Sequence, residues 1–140
     1  MTLSTQIVRP AALENFRGTE AILVVDDEKL VLSFARSVLK HCGYKVYEFD
    51  DPNTALRERA KLKFDLVLTD VVMPGISGPE LVKEIHASNP EIPCIFMSGF
   101  DAQEIAGKGV TDVCGYLRKP FTPETLVRRV RNTLEGHSHG

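Results

Sequence analysis

The stretch Asp65-Leu66-Val67-Leu68-Thr69-Asp70-Val71-Val72-Met73-Pro74-Gly75 constrains this chain more than any other. Leu66, Val67 and Leu68 form a continuous apolar run, the pattern of a strand buried on both faces at the centre of a parallel sheet. The run ends in Asp70 and then in a Pro-Gly turn. Asp70 therefore stands where the strand leaves the sheet, at the edge that α/β folds use for binding. A chemical centre at Asp70 is the first expectation.

The same arrangement of apolar run and acid recurs earlier. Ala21-Ile22-Leu23-Val24-Val25 runs into Asp26-Asp27-Glu28. A helix is expected over about 29–42, with Val31, Phe34, Ala35, Val38, Leu39 and Cys42 at helical spacing and Gly43 as its stop. Tyr44–Phe49 alternates and is rich in β-formers, so it reads as a strand nearer an edge. Asp51-Pro52 is a capping acid followed by a first-turn proline, opening a helix to about residue 63. Beyond the Met73–Gly78 loop, Pro79 opens a helix to about Ala87, and Pro93–Met97 is a fourth strand ending in Ser98-Gly99. A short helix is expected at 101–108, a fifth strand at 112–117, and a last helix from Pro123 to about Glu135. Residues 1–19 read as a lead segment outside the core pattern, 20–135 as one domain, and 136–140 as a disordered tail.

Five strands alternating with five helices over short connections imply an α/β fold with helices on both faces of a parallel sheet. The flavodoxin-like (βα)5 doubly wound order 2-1-3-4-5 is the common solution. At 140 residues the chain is long enough for one domain with its own core. A formal net charge of −2 gives no basic field for direct nucleic-acid binding or for an anionic membrane. No apolar run reaches transmembrane length, and Met1–Gln6 lacks the pattern of a signal peptide. Cys42, Cys94 and Cys114 are odd in number and widely spaced, so buried reduced thiols in a cytoplasmic protein are expected.

Four strand ends carry capable side chains: Asp26 and Asp27, Asp70, Ser98, and Lys119 just past the fifth strand. Each alone has a bland explanation as a helix cap, a turn residue or a surface charge. In the order 2-1-3-4-5, however, strands 1 and 3 are neighbours and their three carboxylates converge. Like charges about 4 Å apart repel by roughly 4 kcal/mol at an effective dielectric near 20. Such a cluster needs raised pKa values, a cationic partner or a bound metal. Hard oxygen donors suit Mg²⁺. Lys119 and Ser98 supply a point charge and a hydroxyl donor for the oxygens of a phosphoryl group on Asp70.

The segments Ile22–Glu28, Asp65–Gly75, Ser98-Gly99 and Tyr116-Leu117-Arg118-Lys119-Pro120-Phe121 resemble the receiver domain of two-component response regulators. The resemblance covers about residues 20–135. It implies that Asp70 accepts a phosphoryl group from a phosphohistidine on a sensor histidine kinase or histidine phosphotransfer protein. It implies Mg²⁺ (or Mn²⁺) held by Asp27, Asp70 and the Val72 backbone carbonyl, with Asp26 acting through a water. Lys119, with a cis Lys119-Pro120 bond, and Ser98 would receive the phosphoryl oxygens. Ser98 and Tyr116 would form the switch that alters contacts with a downstream protein target. Leu30 and Val31 are expected to touch the phosphodonor, and apolar Val72 and Phe100 to slow self-dephosphorylation.

Three other readings fit less well. A haloacid-dehalogenase-like phosphohydrolase needs a second acid two residues past its nucleophile, where this chain has Val72. A flavin mononucleotide module wants a phosphate loop after strand 1, where three acids stand. A phosphorylation-independent interaction module tends to lose acid-cluster residues, and none is missing here. No output domain follows residue 135, so a stand-alone regulator and the C-terminal receiver of a hybrid sensor histidine kinase are both expected contexts. A monomer or weak homodimer is expected, acting by accepting a group rather than as an enzyme in its own right.

Overall fold

The computed structural model describes residues 13–99 and 115–139. Strands β1 (Ala21–Val25), β2 (Lys45–Phe49), β3 (Leu66–Asp70), β4 (Cys94–Ser98) and β5 (Gly115–Arg118) form one sheet. All pairings are parallel, and the order is β2-β1-β3-β4-β5, as the sequence pattern implies. The helices are α1 (Lys29–His41), α2 (Pro52–Glu58), α3 (Gly78–Ser88) and α4 (Pro123–His139). The helix expected at 101–108 and the first residues of the expected fifth strand lie outside the described residues.

Strand alternation sorts the core into two layers. Ile22, Val24, Leu66, Leu68, Ile95, Met97 and Leu117 face α1 and α4, where Leu32, Ala35, Leu39, Leu126, Val127 and Val130 meet them. Their strand neighbours Leu23, Val25, Val67, Cys94 and Phe96 face the other way, against Ala55 of α2 and Leu81, Val82 and Ile85 of α3. β1, β3 and β4 are buried along their whole length, whereas β2 at the edge is only partly covered. On α1 the buried line runs through Leu32, while Phe34, expected on the apolar face, is 36% exposed.

Several boundaries differ from expectation for identifiable reasons. α2 gives way to a 3₁₀ turn at Arg59–Lys61, because the backbone must extend at Leu62 to enter β3. α3 begins a residue early, since Ser77 caps it by accepting from the Glu80 amide while Glu80 returns the bond in a capping box. α4 continues past the expected end at Glu135 to His139. Cys94 is disulfide-bonded and so is not the reduced thiol expected, whereas Cys42 is free and buried.

The described end of the lead segment, from Leu13 onward, docks on the domain. Leu13 is buried in the α1/α4 layer, and Phe16 packs partly against it. Arg131 of α4 binds this segment to the domain. Its guanidinium donates to both Glu20 carboxylate oxygens at 3.0 and 2.7 Å, to the Arg17 carbonyl and to the Tyr44 hydroxyl. The Tyr44 hydroxyl in turn donates to the Phe16 carbonyl at 2.8 Å. The bond with Arg131 holds the Glu20 carboxyl below its ordinary range. Leu13→Ala is expected to lower unfolding stability by about 2 kcal/mol, the low end for a buried leucine because the site lies at the core's rim. Urea denaturation measures it.

Candidate functional site at the carboxyl end of the sheet

Strand register brings the acids together. Val25 stands opposite Thr69, so Asp26 and Asp70 each come one residue later on adjacent strands. Asp70 stands opposite Met97 and Ser98 opposite Arg118, which places Ser98 and Lys119 one step further along the same edge. Parity then divides the group. Asp26, Asp70 and Lys119 continue the alternation of the α1/α4 layer, while Ser98 continues that of Cys94 and Phe96. Tyr116, half-buried, packs in that second layer with Phe96. Asp26 and Asp70 thus follow the parity of one core layer, and Ser98 and Tyr116 that of the other.

The loop after β3 is folded back tightly against Asp70. The Gly78 amide donates to the Val71 carbonyl at 2.8 Å, and a side chain at Gly78 would collide with the Asp70 carbonyl oxygen. Only glycine allows α3 to start so close to the acid. Asp70 Oδ1 accepts from the Val71 amide at 2.9 Å and lies 3.5 Å from Lys119 Nζ. Asp26 Oδ1 accepts from the Glu28 amide at 2.9 Å, a short local turn that fixes the start of α1.

Lys119 is the common partner. Its ammonium lies 2.8 Å from Asp26 Oδ2 and donates to Glu28 Oε1 at 2.8 Å. The Asp26 contact is an ion pair rather than a well-formed hydrogen bond, so this buried oxygen retains capacity for another ligand. The Lys119-Pro120 peptide is cis, and the Lys119 amide donates to the Ser98 carbonyl at 2.8 Å.

Burial dominates the electrostatics. It raises the Asp26 carboxyl against the opposing pull of Lys119. Asp70 is pushed up to about 6, first by burial and then by the Asp26 charge, against Lys119 and the Val71 amide. Burial alone would pull Lys119 down, but Asp26 and Glu28 outweigh it and the ammonium titrates above its ordinary range. Asp26, Asp27 and Asp70 each offer a carboxylate oxygen within 4.8 Å of the others. Together with the under-bonded Asp26 oxygen, this donor set fits a hard divalent cation.

The remaining expected residues fall in two places. Val72 is 55% exposed beside the cluster, and Phe100 lies outside the described residues. Leu30 is 87% exposed, and Val31 is half-buried against the core. They line an open groove with Phe34, Pro120 and Phe121, whose floor includes Glu28 and Lys119. The Phe34 and Phe121 rings meet at 5.7 Å between centroids. Sequence reading missed the part played by Glu28, Phe34 and Phe121. For Glu28 the available signal was a third acid directly after Asp26-Asp27.

A doubly wound parallel sheet with an acid cluster and a lysine at the carboxyl ends of its strands defines an α/β module with a charged site at its binding edge. A family model, the response regulator receiver domain, matches residues 22–131, and the chain belongs to that family. It is 35% identical over 121 residues to the sensor kinase CckA of Brucella abortus, covering 84% of this chain and 13% of that protein. It is 36% identical over 118 residues to the two-component response regulator ARR12 of Arabidopsis thaliana, covering 82% of this chain and 20% of that protein. The chain therefore spans a small part of both relatives. Among solved structures, the chemotaxis protein CheY4 of Vibrio cholerae aligns with a TM-score of 0.77 and 28% identity. That alignment covers 83% of this chain and 99% of CheY4. The chain is thus a phospho-accepting signalling module of two-component systems. Among the described residues no helix is long and apolar enough to cross a membrane.

The raised Asp70 pKa sets a sign for stability. The folded protein holds this proton up to about pH 6, whereas an unfolded aspartate releases it near its ordinary 3.8. This group's destabilising charge is therefore fully felt above pH 6 and fades as pH falls toward 4. Asp70→Asn should stabilise the metal-free fold at pH 7 by about 1–2 kcal/mol. Urea unfolding in the presence of a chelator, at pH 7 and at pH 4.5, should show the gain shrinking at the lower pH.

Proposed function

We propose that Asp70 is the phospho-acceptor and that the donor is a phosphohistidine on a sensor histidine kinase or histidine phosphotransfer protein. The observation that carries this reading is the convergence of Asp26, Asp27, Asp70 and Lys119, with Lys119 Nζ at 3.5 Å from Asp70 Oδ1. In the transfer, an Asp70 carboxylate oxygen bonds to phosphorus as the P–N bond breaks, and the electron pair returns to the imidazole nitrogen. Val71 and Lys119 already occupy Oδ1, which leaves Oδ2 for the new bond. Lys119 then balances charge on the phosphoryl oxygens, and the Ser98 hydroxyl donates to another of them.

Asp27, Asp70 and the Val72 carbonyl would hold Mg²⁺ (or Mn²⁺), with Asp26 acting through a water. The ion supplies charge neutralisation between the carboxylates and the incoming phosphoryl group. Ser98 and Tyr116 form the switch, because both lie on the second side of the sheet and Tyr116 is only half-buried there. The switch alters contacts with a downstream protein target. The groove at Leu30, Val31, Phe34 and Phe121 receives the phosphodonor beside the acid cluster. The match to a segment of a sensor kinase favours a second context, in which the same chemistry serves as the receiver of a hybrid kinase. In either setting the module works on the cytoplasmic side, as monomer or weak homodimer.

Incubation with acetyl phosphate and Mg²⁺ should add one phosphoryl mass to the wild type and none to Asp70→Ala. Equal behaviour of the two proteins rejects the assignment. Because a proton competes for Asp70, Mg²⁺ affinity should fall as pH drops through about 6. Isothermal titration at pH 7.5 and 5.5 checks this. With apolar Val72 beside Asp70, the phosphorylated form should persist for minutes or longer, and a half-life of seconds with Mg²⁺ rejects slow self-dephosphorylation.

A further inference from the structure

Lys119 makes its short contacts with Asp26 and Glu28, at 2.8 Å each, and stands at 3.5 Å from Asp70. The Lys119 side chain is largely buried, whereas that of Glu28 is mostly exposed. Glu28 also occupies the N-cap position of α1, yet its carboxylate makes no cap hydrogen bond and reaches across to Lys119 instead. An exposed carboxylate that neglects its own helix to hold a buried ammonium is a tether. Asp26 cannot be the adjustable member, since it is fully buried and its other oxygen is fixed by the Glu28 amide.

We propose that Glu28 is a positioning residue, holding the Lys119 ammonium on the solvent side of Asp70 so that phosphoryl transfer requires Lys119 to leave Glu28. This rests on the phospho-acceptor reading of Asp70. Glu28 lines the apolar groove together with Leu30, Val31 and Phe121. A partner seated in that groove therefore sits against the tether, and a donor group that it brings to Glu28 competes with Lys119 for the carboxylate. Phosphorylation by a small molecule lacks that assistance and meets the tether intact.

Two variants separate a tether from simple charge repulsion. Glu28→Ala removes the carboxylate without loss of a cap, because Glu28 supplies none. Glu28→Asp keeps the charge, but its shorter carboxylate falls short of Lys119 and prefers the helix amides. Under the tether, both variants should be phosphorylated by acetyl phosphate about two- to fivefold faster than wild type, the factor a partly exposed ion pair commands. Both should also loosen the Lys119 ammonium, read without any phosphodonor as a lower order parameter of its ¹⁵N-labelled Nζ. Acceleration in Glu28→Ala alone, lost at high salt, assigns the effect to repulsion of the anionic donor and overturns the proposal. So does an unchanged Lys119 order parameter in both variants. Were Lys119 loosened in both while wild type and variants all failed to take up phosphate, the acceptor reading of Asp70 would fall and the tether itself would stand.

Discussion

Everything at the working end of this domain depends on one ammonium lying between buried carboxylates. Asp26 is fully buried and Asp70 nearly so, and neither charge would be tolerable there without a counterion. Lys119 supplies it from the loop after β5, on the far side of the sheet order from β1. The compensation is incomplete. Asp70 stays raised to about 6, so the cluster remains a place where further positive charge is favourable. That residual negative charge is what a bound cation would offset.

The fold achieves this through strand parity and one glycine. Because side chains alternate, Asp26 and Asp70 continue the parity of the α1/α4 layer and Ser98 that of the other layer, where Tyr116 packs. Gly78 keeps the Val71–Ser77 loop pressed against the Asp70 backbone, which fixes where the acid stands. A side chain at that one position would push α3 away and loosen the acid's setting.

The strand order and the acid cluster were legible in the sequence because both follow from short-range patterns. Apolar runs such as Leu66–Leu68 mark central strands, and an acid directly after such a run has only one edge on which to stand. What escaped were relations between residues far apart in the chain. The pairing of Glu28 with Lys119 spans 91 positions and has no local signature. Leu13 joins the core because Arg131, 118 residues later, anchors Glu20 and the Arg17 carbonyl beside it. Helical spacing on α1 pointed to Phe34, but that ring is drawn outward against Phe121, a partner that periodicity cannot reveal. The disulfide at Cys94 is likewise invisible to composition, which favoured reduced thiols.

Phe121 also sets the apolar groove directly beside the acid cluster. Lys119 and Phe121 are separated by Pro120 alone, so the ammonium beside Asp70 and the ring that builds the groove are close neighbours in the chain. On the facing element, Glu28 and Leu30 are just as closely linked at the start of α1. Both walls of the groove are thus continuous with both ends of the Glu28–Lys119 contact. Any partner that wedges Phe121 and Leu30 apart acts on that contact directly, with no need for a longer path through the core.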